Sequence, residues 1–78
     1  MLGHDKEDYD FLYGLIKSSF DVRNYELMCF CVMPTHYHIL ATQTGKRPLS
    51  FAMHNIDSKY TTYYNQKYGE SGHVFQGV

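Results

Sequence analysis

The chain has 78 residues, which is enough for one small domain that buries only about 60 % of its unfolded surface and is marginally stable alone. Seven basic and eight acidic side chains give a net charge of −1, so the composition provides no global basic field that would attract nucleic acid. Residues 1–6 do not form an apolar signal segment and no apolar run approaches the ~20 residues of a membrane span, so we expect a soluble, cytoplasmic protein.

The first predicted element is a helix from about Lys6 to Ser19. Asp5, followed three residues later by Asp8, resembles a weak capping box at its start. Apolar side chains then recur at helical spacing, namely Tyr9, Leu12, Leu15, Ile16 and Phe20. The pattern predicts a helix that packs along one apolar face.

A short apolar run from Tyr25 to Met33 predicts a buried strand that ends at Pro34. Cys29 and Cys31 lie two residues apart on this strand, so they share a face but are poorly placed to bond each other. We interpret them as small buried residues with reduced thiols, as is usual in the cytoplasm. A Cys-x-Cys metal clip is the alternative.

Residues 36–42 alternate in polarity and predict a second strand. It pairs with the first strand if the preceding link is a tight turn, or continues that strand past a kink if it is not. His36 and His38 would point the same way, with Cα atoms roughly 6–7 Å apart, and Tyr37 would face the opposite side. The two imidazoles can share one metal ion, although histidine pairs on strands also serve only to satisfy hydrogen bonds.

A loop containing Lys46 and Arg47 leads to a second helix, from Leu49 to about Tyr68, which glycine residues end. The two basic side chains are either simply solvated or in contact with phosphate. Lys59 and Lys67 flank a tyrosine-rich face of the helix, where they would support base stacking on exposed rings. The apolar stripe of this helix includes Met53, Ile56, Tyr60 and Tyr64, so we expect these two tyrosines to be core residues.

These elements predict an α+β fold in which helices cover one face of an antiparallel sheet and His36 and His38 lie on the opposite, open face. Two strands make a marginal sheet on their own. We therefore expect a second copy to add strands in a homodimer, or the chain to be a piece of a longer protein.

Three ordered segments resemble the single-tyrosine HUH transposases, and more closely their REP-associated and insertion-sequence-200-like branch. They are residues 31–40 (CVMPTHYHIL), 60–65 (YTTYYN) and 72–77 (GHVFQG), and the segment from Asp8 to Leu12 also matches the first helix of the family. The resemblance covers about residues 5–77. It implies that residues 1–78 form one partial domain with an incomplete ferredoxin-like, RRM-like fold.

The resemblance implies a nuclease and strand transferase that acts on single-stranded DNA at hairpins. His36 and His38 would hold Mg²⁺ or Mn²⁺ against the scissile phosphate while a tyrosine attacks, although imidazole ligands alone favour zinc. DNA contacts are expected among the later basic side chains, namely Lys46, Arg47, Lys59, Lys67 and His73. His73 has two alternatives, a further metal ligand or a solvated side chain.

The chain also departs from the family pattern. The family's nucleophilic tyrosine lies on a later helix that also supplies the third metal ligand, so we expect it beyond Val78 and leave the catalytic residue unknown. The strand that opens the family's fold is missing, and Thr35 replaces the usual asparagine. We therefore expect no transposase activity from these residues alone. Two other hypotheses stay open, a non-catalytic DNA-binding or dimerising remnant and a small metal-binding protein that uses His36, His38 and His73.

Overall fold

Two helices and a two-stranded antiparallel sheet make up the part of the chain that the computed structural model describes, residues 2–34 and 36–72. The elements follow the order α1 (Lys6–Ser19), β1 (Tyr25–Val32), β2 (Tyr37–Gln43) and α2 (Leu49–Tyr68). The predicted α+β class is confirmed, and the arrangement is compatible with a partial ferredoxin-like fold. The helix bounds agree with the sequence prediction, and the strand ends differ from it by one residue.

Helix α1 begins where the sequence predicted. The Asp5 carboxylate accepts a hydrogen bond from the Asp8 N–H at 3.0 Å, which caps the helix N-terminus. Leu12 and Ile16 are fully buried one turn apart, and Phe20 closes the helix by donating its N–H to the Ile16 carbonyl at 3.2 Å. The predicted apolar face is thus the face that enters the core.

Helix α2 packs against α1 through residues spaced four apart. Ala52, Ile56 and Tyr60 are fully buried and Tyr64 nearly so, which confirms the two tyrosines as core residues. Gly69 ends the helix in the left-handed region with φ of 66°, and its N–H donates to the Asn65 carbonyl. Among the described residues, no helix has the length and apolar character needed to cross a membrane.

The two strands form a hairpin, so the tight-turn alternative is the correct one. The Met33 N–H donates to the His36 carbonyl at 2.8 Å across the turn, and Val32 lies opposite Tyr37 at the start of the ladder. The register shifts between Leu27 and Cys29, which leaves Met28 as an extra residue in β1. This irregularity is a β-bulge.

The helices cover only one face of this hairpin. The residues that pack against the core are Tyr25, Leu27, Phe30 and Val32 from β1 and Tyr37, Ile39 and Ala41 from β2. The opposite face is open, and Cys29 and Cys31 are exposed there with free thiols. The prediction of a buried strand with buried cysteines was therefore wrong for Cys29 and Cys31, because the described helices cover only the other face of the strand.

Candidate metal and DNA site

His36 and His38 lie on the open face of the hairpin, as the alternation of side chains predicted. Both are exposed, their ring centroids are 4.9 Å apart, and the ring planes stand at 89° to each other. Tyr37, between them, points to the helices and is half-buried, and this burial together with the charge of Asp57 raises the pKa of its hydroxyl. The core thus anchors the strand while the imidazoles face solvent.

The histidine pair brings two nitrogen donors together on the open face. The part of the chain that the structure describes contains no group of three or more His, Cys, Asp or Glu residues arranged to hold an ion. Rotation of exposed imidazoles about their side-chain torsions is inexpensive, so the two rings can turn towards a shared ion. Two imidazoles alone do not complete a metal site, so an ion bound here would need further ligands.

The neighbours of the histidine pair on the open face carry sulfur. Cys31 is the direct cross-strand partner of His38, and Cys29 is the partner of Leu40 one step further along the same face. Nitrogen and sulfur donors suit zinc and other borderline or soft ions, whereas Mg²⁺ and Mn²⁺ prefer oxygen. The donors nearest in register therefore fit Mg²⁺ or Mn²⁺ poorly.

The loop between β2 and α2 carries the two basic residues expected to contact DNA. Lys46 and Arg47 are both exposed, and the Arg47 guanidinium lies 4.7 Å from the centre of the Phe51 ring. Phe51 is 50 % exposed, so the start of α2 presents a cation in contact with a solvent-accessible aromatic ring. Sequence reasoning missed Phe51, although its spacing of four from Arg47 at the start of a helix was an available signal.

The other basic residues expected to contact DNA lie elsewhere. Lys59 is exposed on α2, about 15 Å along the helix axis from Leu49, and Lys67 lies about 27 Å along it. The Lys67 ammonium is within 3.1 Å of carboxylate oxygens of Asp5, Glu7 and Asp8. These lysines do not join the loop pair, and His73 lies outside the described residues.

A buried carboxylate ties the start of the chain to the end of α2, and sequence reasoning missed it. Asp8 is fully buried. One of its oxygens accepts hydrogen bonds from Tyr63 and Lys67, each at 2.8 Å. The other accepts from the His4 N–H at 2.8 Å and from the Tyr68 hydroxyl. In the sequence Asp8 looked like a capping residue only, and no local signal indicated its burial.

The hydrogen bonds to Asp8 also shift the pKa values of Asp8 and of the tyrosines bonded to it. Burial opposes the charged carboxylate, but bonds from Lys67, Tyr68, His4 and Tyr63 outweigh burial and hold the pKa of Asp8 well below its usual range. Burial and the bond to Asp8 raise the pKa of Tyr63 and of Tyr68 to about 12. These tyrosines are therefore firmly protonated donors at neutral pH.

Comparison with known families agrees with the three segments noted in the sequence. A family model described as "Transposase IS200 like" matches residues 4–77, almost the whole chain. No match was found among curated proteins or among solved structures. Transposases act on DNA, and this family is generally metal-dependent. Since the match spans well over half of the chain, the chain belongs to the IS200-like transposase family.

Proposed function

We propose that this chain is a domain of an HUH-type transposase that binds single-stranded or hairpin DNA and holds a divalent ion with His36 and His38. The pair of exposed imidazoles on the open face is the observation that carries the proposal. An ion held there is accessible to a phosphate group, because the described helices cover only the other face of the hairpin. The two free thiols suit the reducing cytoplasm as the place of action.

The reaction we propose for the family's full active site is a phosphoryl transfer through tyrosine. The tyrosine Oη forms a bond to the phosphorus, the bond to the 3′ oxygen breaks, and the tyrosine proton goes to that departing oxygen. The product is a 5′-phosphotyrosine link, which the 3′ hydroxyl of a second strand can reverse. A bound divalent ion would polarise the phosphate and neutralise developing charge.

We infer that the nucleophile is not one of the tyrosines of α2. Tyr63 and Tyr68 each donate a hydrogen bond to Asp8, and Tyr60 donates one to the Leu2 carbonyl. The fourth, Tyr64, is hydrogen-bonded to the His4 ring at 2.7 Å. Burial raises the pKa of all four hydroxyls, which opposes formation of a phenolate. These rings belong to the helical layer, whereas the histidine pair lies on the other face of the hairpin. The chain therefore contributes DNA and metal binding, and its nucleophile remains unassigned.

We propose that DNA contacts begin at the loop that carries Lys46 and Arg47. Two adjacent cations supply a phosphate contact, and the exposed face of Phe51 offers a stacking surface for an unpaired base. Lys59, Lys67 and His73 remain proposed contacts. Of the two lysines, Lys67 is the more constrained, because its charge is already shared among three carboxylates.

We also propose that the chain works as a homodimer. In the described residues the sheet has two strands, and each strand has one edge without a partner. Such a sheet is marginal alone, and a second copy can extend it by strand pairing. Sedimentation equilibrium tests this directly, and a monomer across the accessible concentration range would contradict it.

A combined binding and trapping experiment tests the proposed function. The full chain is mixed with a labelled DNA hairpin that has a single-stranded flank, with Mn²⁺, Zn²⁺ or a chelator present. We expect binding that is strengthened by a divalent ion, with no adduct surviving denaturation. The double variant His36→Ala, His38→Ala should lose the metal effect, while His54→Ala, an exposed histidine on α2, should keep it.

Each other outcome contradicts a stated part of the proposal. A denaturation-resistant adduct that disappears in Tyr63→Phe or Tyr68→Phe would place the nucleophile in this chain. Metal binding without any affinity for the hairpin would instead indicate a metal-binding protein of unrelated role. Equal binding to a fully paired duplex without a hairpin would contradict the preference for single strands.

A further inference from the structure

We propose that Cys31 is a third ligand beside His36 and His38, and that the site takes a thiophilic divalent ion such as Zn²⁺ in preference to Mg²⁺ or Mn²⁺. The inference rests on the proposed function in one respect, the assignment of the two histidines as metal ligands. It deepens that assignment by naming a further residue and the chemical class of the ion.

The strand register places the thiol beside the imidazoles. Cys31 and His38 are direct partners in the antiparallel ladder, so their Cβ atoms lie about 4.5–5.5 Å apart on one face. His36 lies two residues from His38 on that face, and its ring centroid is 4.9 Å from that of His38. The three side chains thus start from neighbouring positions around one point above the sheet.

The site closes by side-chain rotation alone. Within residues 2–34 and 36–72, no three His, Cys, Asp or Glu side chains are arranged to hold an ion. The Cys31 thiol and the two imidazoles must therefore turn towards each other. All three residues are exposed, so rotation between staggered conformers breaks no core packing. The backbone hairpin that carries them stays fixed, because its inner face is anchored by Val32 and Tyr37.

The three donors form a set that zinc accepts. Two imidazole nitrogens and one thiolate occupy three positions of a tetrahedron and leave the fourth for water or a phosphate oxygen. The thiol loses its proton to solvent when the metal–sulfur bond forms, so the thiolate step releases one proton. Mg²⁺ has little affinity for sulfur, so a thiolate ligand shifts selectivity towards zinc.

Cys29 is the matched control for Cys31. Both are exposed free cysteines on the open face, but Cys29 is paired with Leu40 rather than with a histidine. A general effect of surface thiols would appear in both variants, whereas a ligand role belongs to Cys31 alone.

The test is titration of the full chain with Co²⁺, a coloured substitute for Zn²⁺, followed by displacement with Zn²⁺. We expect a sulfur-to-cobalt charge-transfer band in the near ultraviolet for the unmodified chain and for Cys29→Ser. Cys31→Ser should lose the band and bind Zn²⁺ at least about tenfold more weakly. A large excess of Mg²⁺ should not displace the cobalt. Far-ultraviolet circular dichroism confirms that the variants remain folded.

Two results would overturn the inference, and they separate it from the proposed function. Cobalt bound through the histidines without a sulfur band, and unaffected by Cys31→Ser, would refute the thiolate ligand and leave the histidine site standing. A band that survives in the variant His36→Ala, His38→Ala would refute both, because the thiols would then bind metal independently of the imidazoles.

Discussion

Replacing the buried Asp8 carboxylate should have the largest effect of any conservative substitution that we consider. Asp8→Asn keeps the shape of the side chain but replaces one acceptor oxygen with an NH₂ donor. Each Asp8 oxygen accepts two hydrogen bonds, so the amide group must face two donors whichever way it turns. The variant also removes the negative charge that neutralises the Lys67 ammonium on its buried side.

The expected cost is about 3–5 kcal/mol, the usual effect of breaking a buried charge pair by changing one partner. A chain of this length has a total stability of roughly 4–12 kcal/mol, so a large part of it would be lost. At a urea dependence of about 1 kcal/mol per molar, a cost of this size should lower the unfolding midpoint by about 3–5 M. A midpoint that falls below zero urea appears as loss of helical circular dichroism in buffer alone.

Asp10→Asn is the matched control, since Asp10 is an exposed acid of the same helix that pairs with Lys6. Exposed ion pairs contribute little to stability, so its urea midpoint should stay near that of the parent chain. Hydrogen exchange adds a local measurement, because the His4 N–H bonded to Asp8 should lose protection in Asp8→Asn. Equal midpoints for Asp8→Asn and Asp10→Asn would refute the assigned role of the buried carboxylate.

The remaining predictions concern acid stability, backbone crowding and DNA affinity. Since the folded-state pKa of Asp8 is depressed, its stabilisation is present above the unfolded pKa of about 3.9 and is lost as pH falls below it. The urea midpoint of the parent chain should therefore drop more steeply from pH 5 to pH 3 than that of Asp8→Asn, and parallel curves would contradict this. Gly45→Ala should destabilise by about 1–3 kcal/mol, because the new Cβ would lie 2.6 Å from the Arg23 carbonyl oxygen. Gly14→Ala, where a Cβ meets nothing within 4 Å in α1, should stabilise by about 0.5–1 kcal/mol, and thermal melts that rank the two in reverse would refute the argument. Arg47→Ala should weaken hairpin binding and reduce the slope of log affinity against log salt by about 0.7, whereas Lys6→Ala should leave that slope unchanged in fluorescence anisotropy.

Local signals explain most of what the sequence predicted correctly. The cap at Asp5, the spacing of apolar residues and Gly69 together define both helices, because these features act within a few residues of each other. The position of His36 and His38 on one face of the hairpin follows in the same way, because side chains two residues apart in extended backbone point to the same side. The family segments added what periodicity could not, the link between the histidine pair and transposition.

The features that the sequence did not reveal depend on contacts between distant residues. Asp8 is buried because Tyr63, Lys67 and Tyr68 approach it from a helix more than fifty positions away. The exposure of Cys29 depends on which sheet face the helices cover. An apolar run alone cannot distinguish a strand covered on both faces from one covered on a single face. The Arg47–Phe51 contact was within local reach and was overlooked.

The bulge at Met28 acts as a phase shift between the two halves of β1. Tyr25 and Leu27 point to the core before it, and Phe30 points there after it. Without the bulge, the alternation begun by Tyr25 would run on through Met28, turn both thiols inward and push Phe30 into water. Deletion of Met28 would place Cys29 directly after Leu27, so regular alternation would keep Phe30 on the core face and both thiols in solvent. In this hairpin, the bulge decides which side chains meet solvent as much as residue type does.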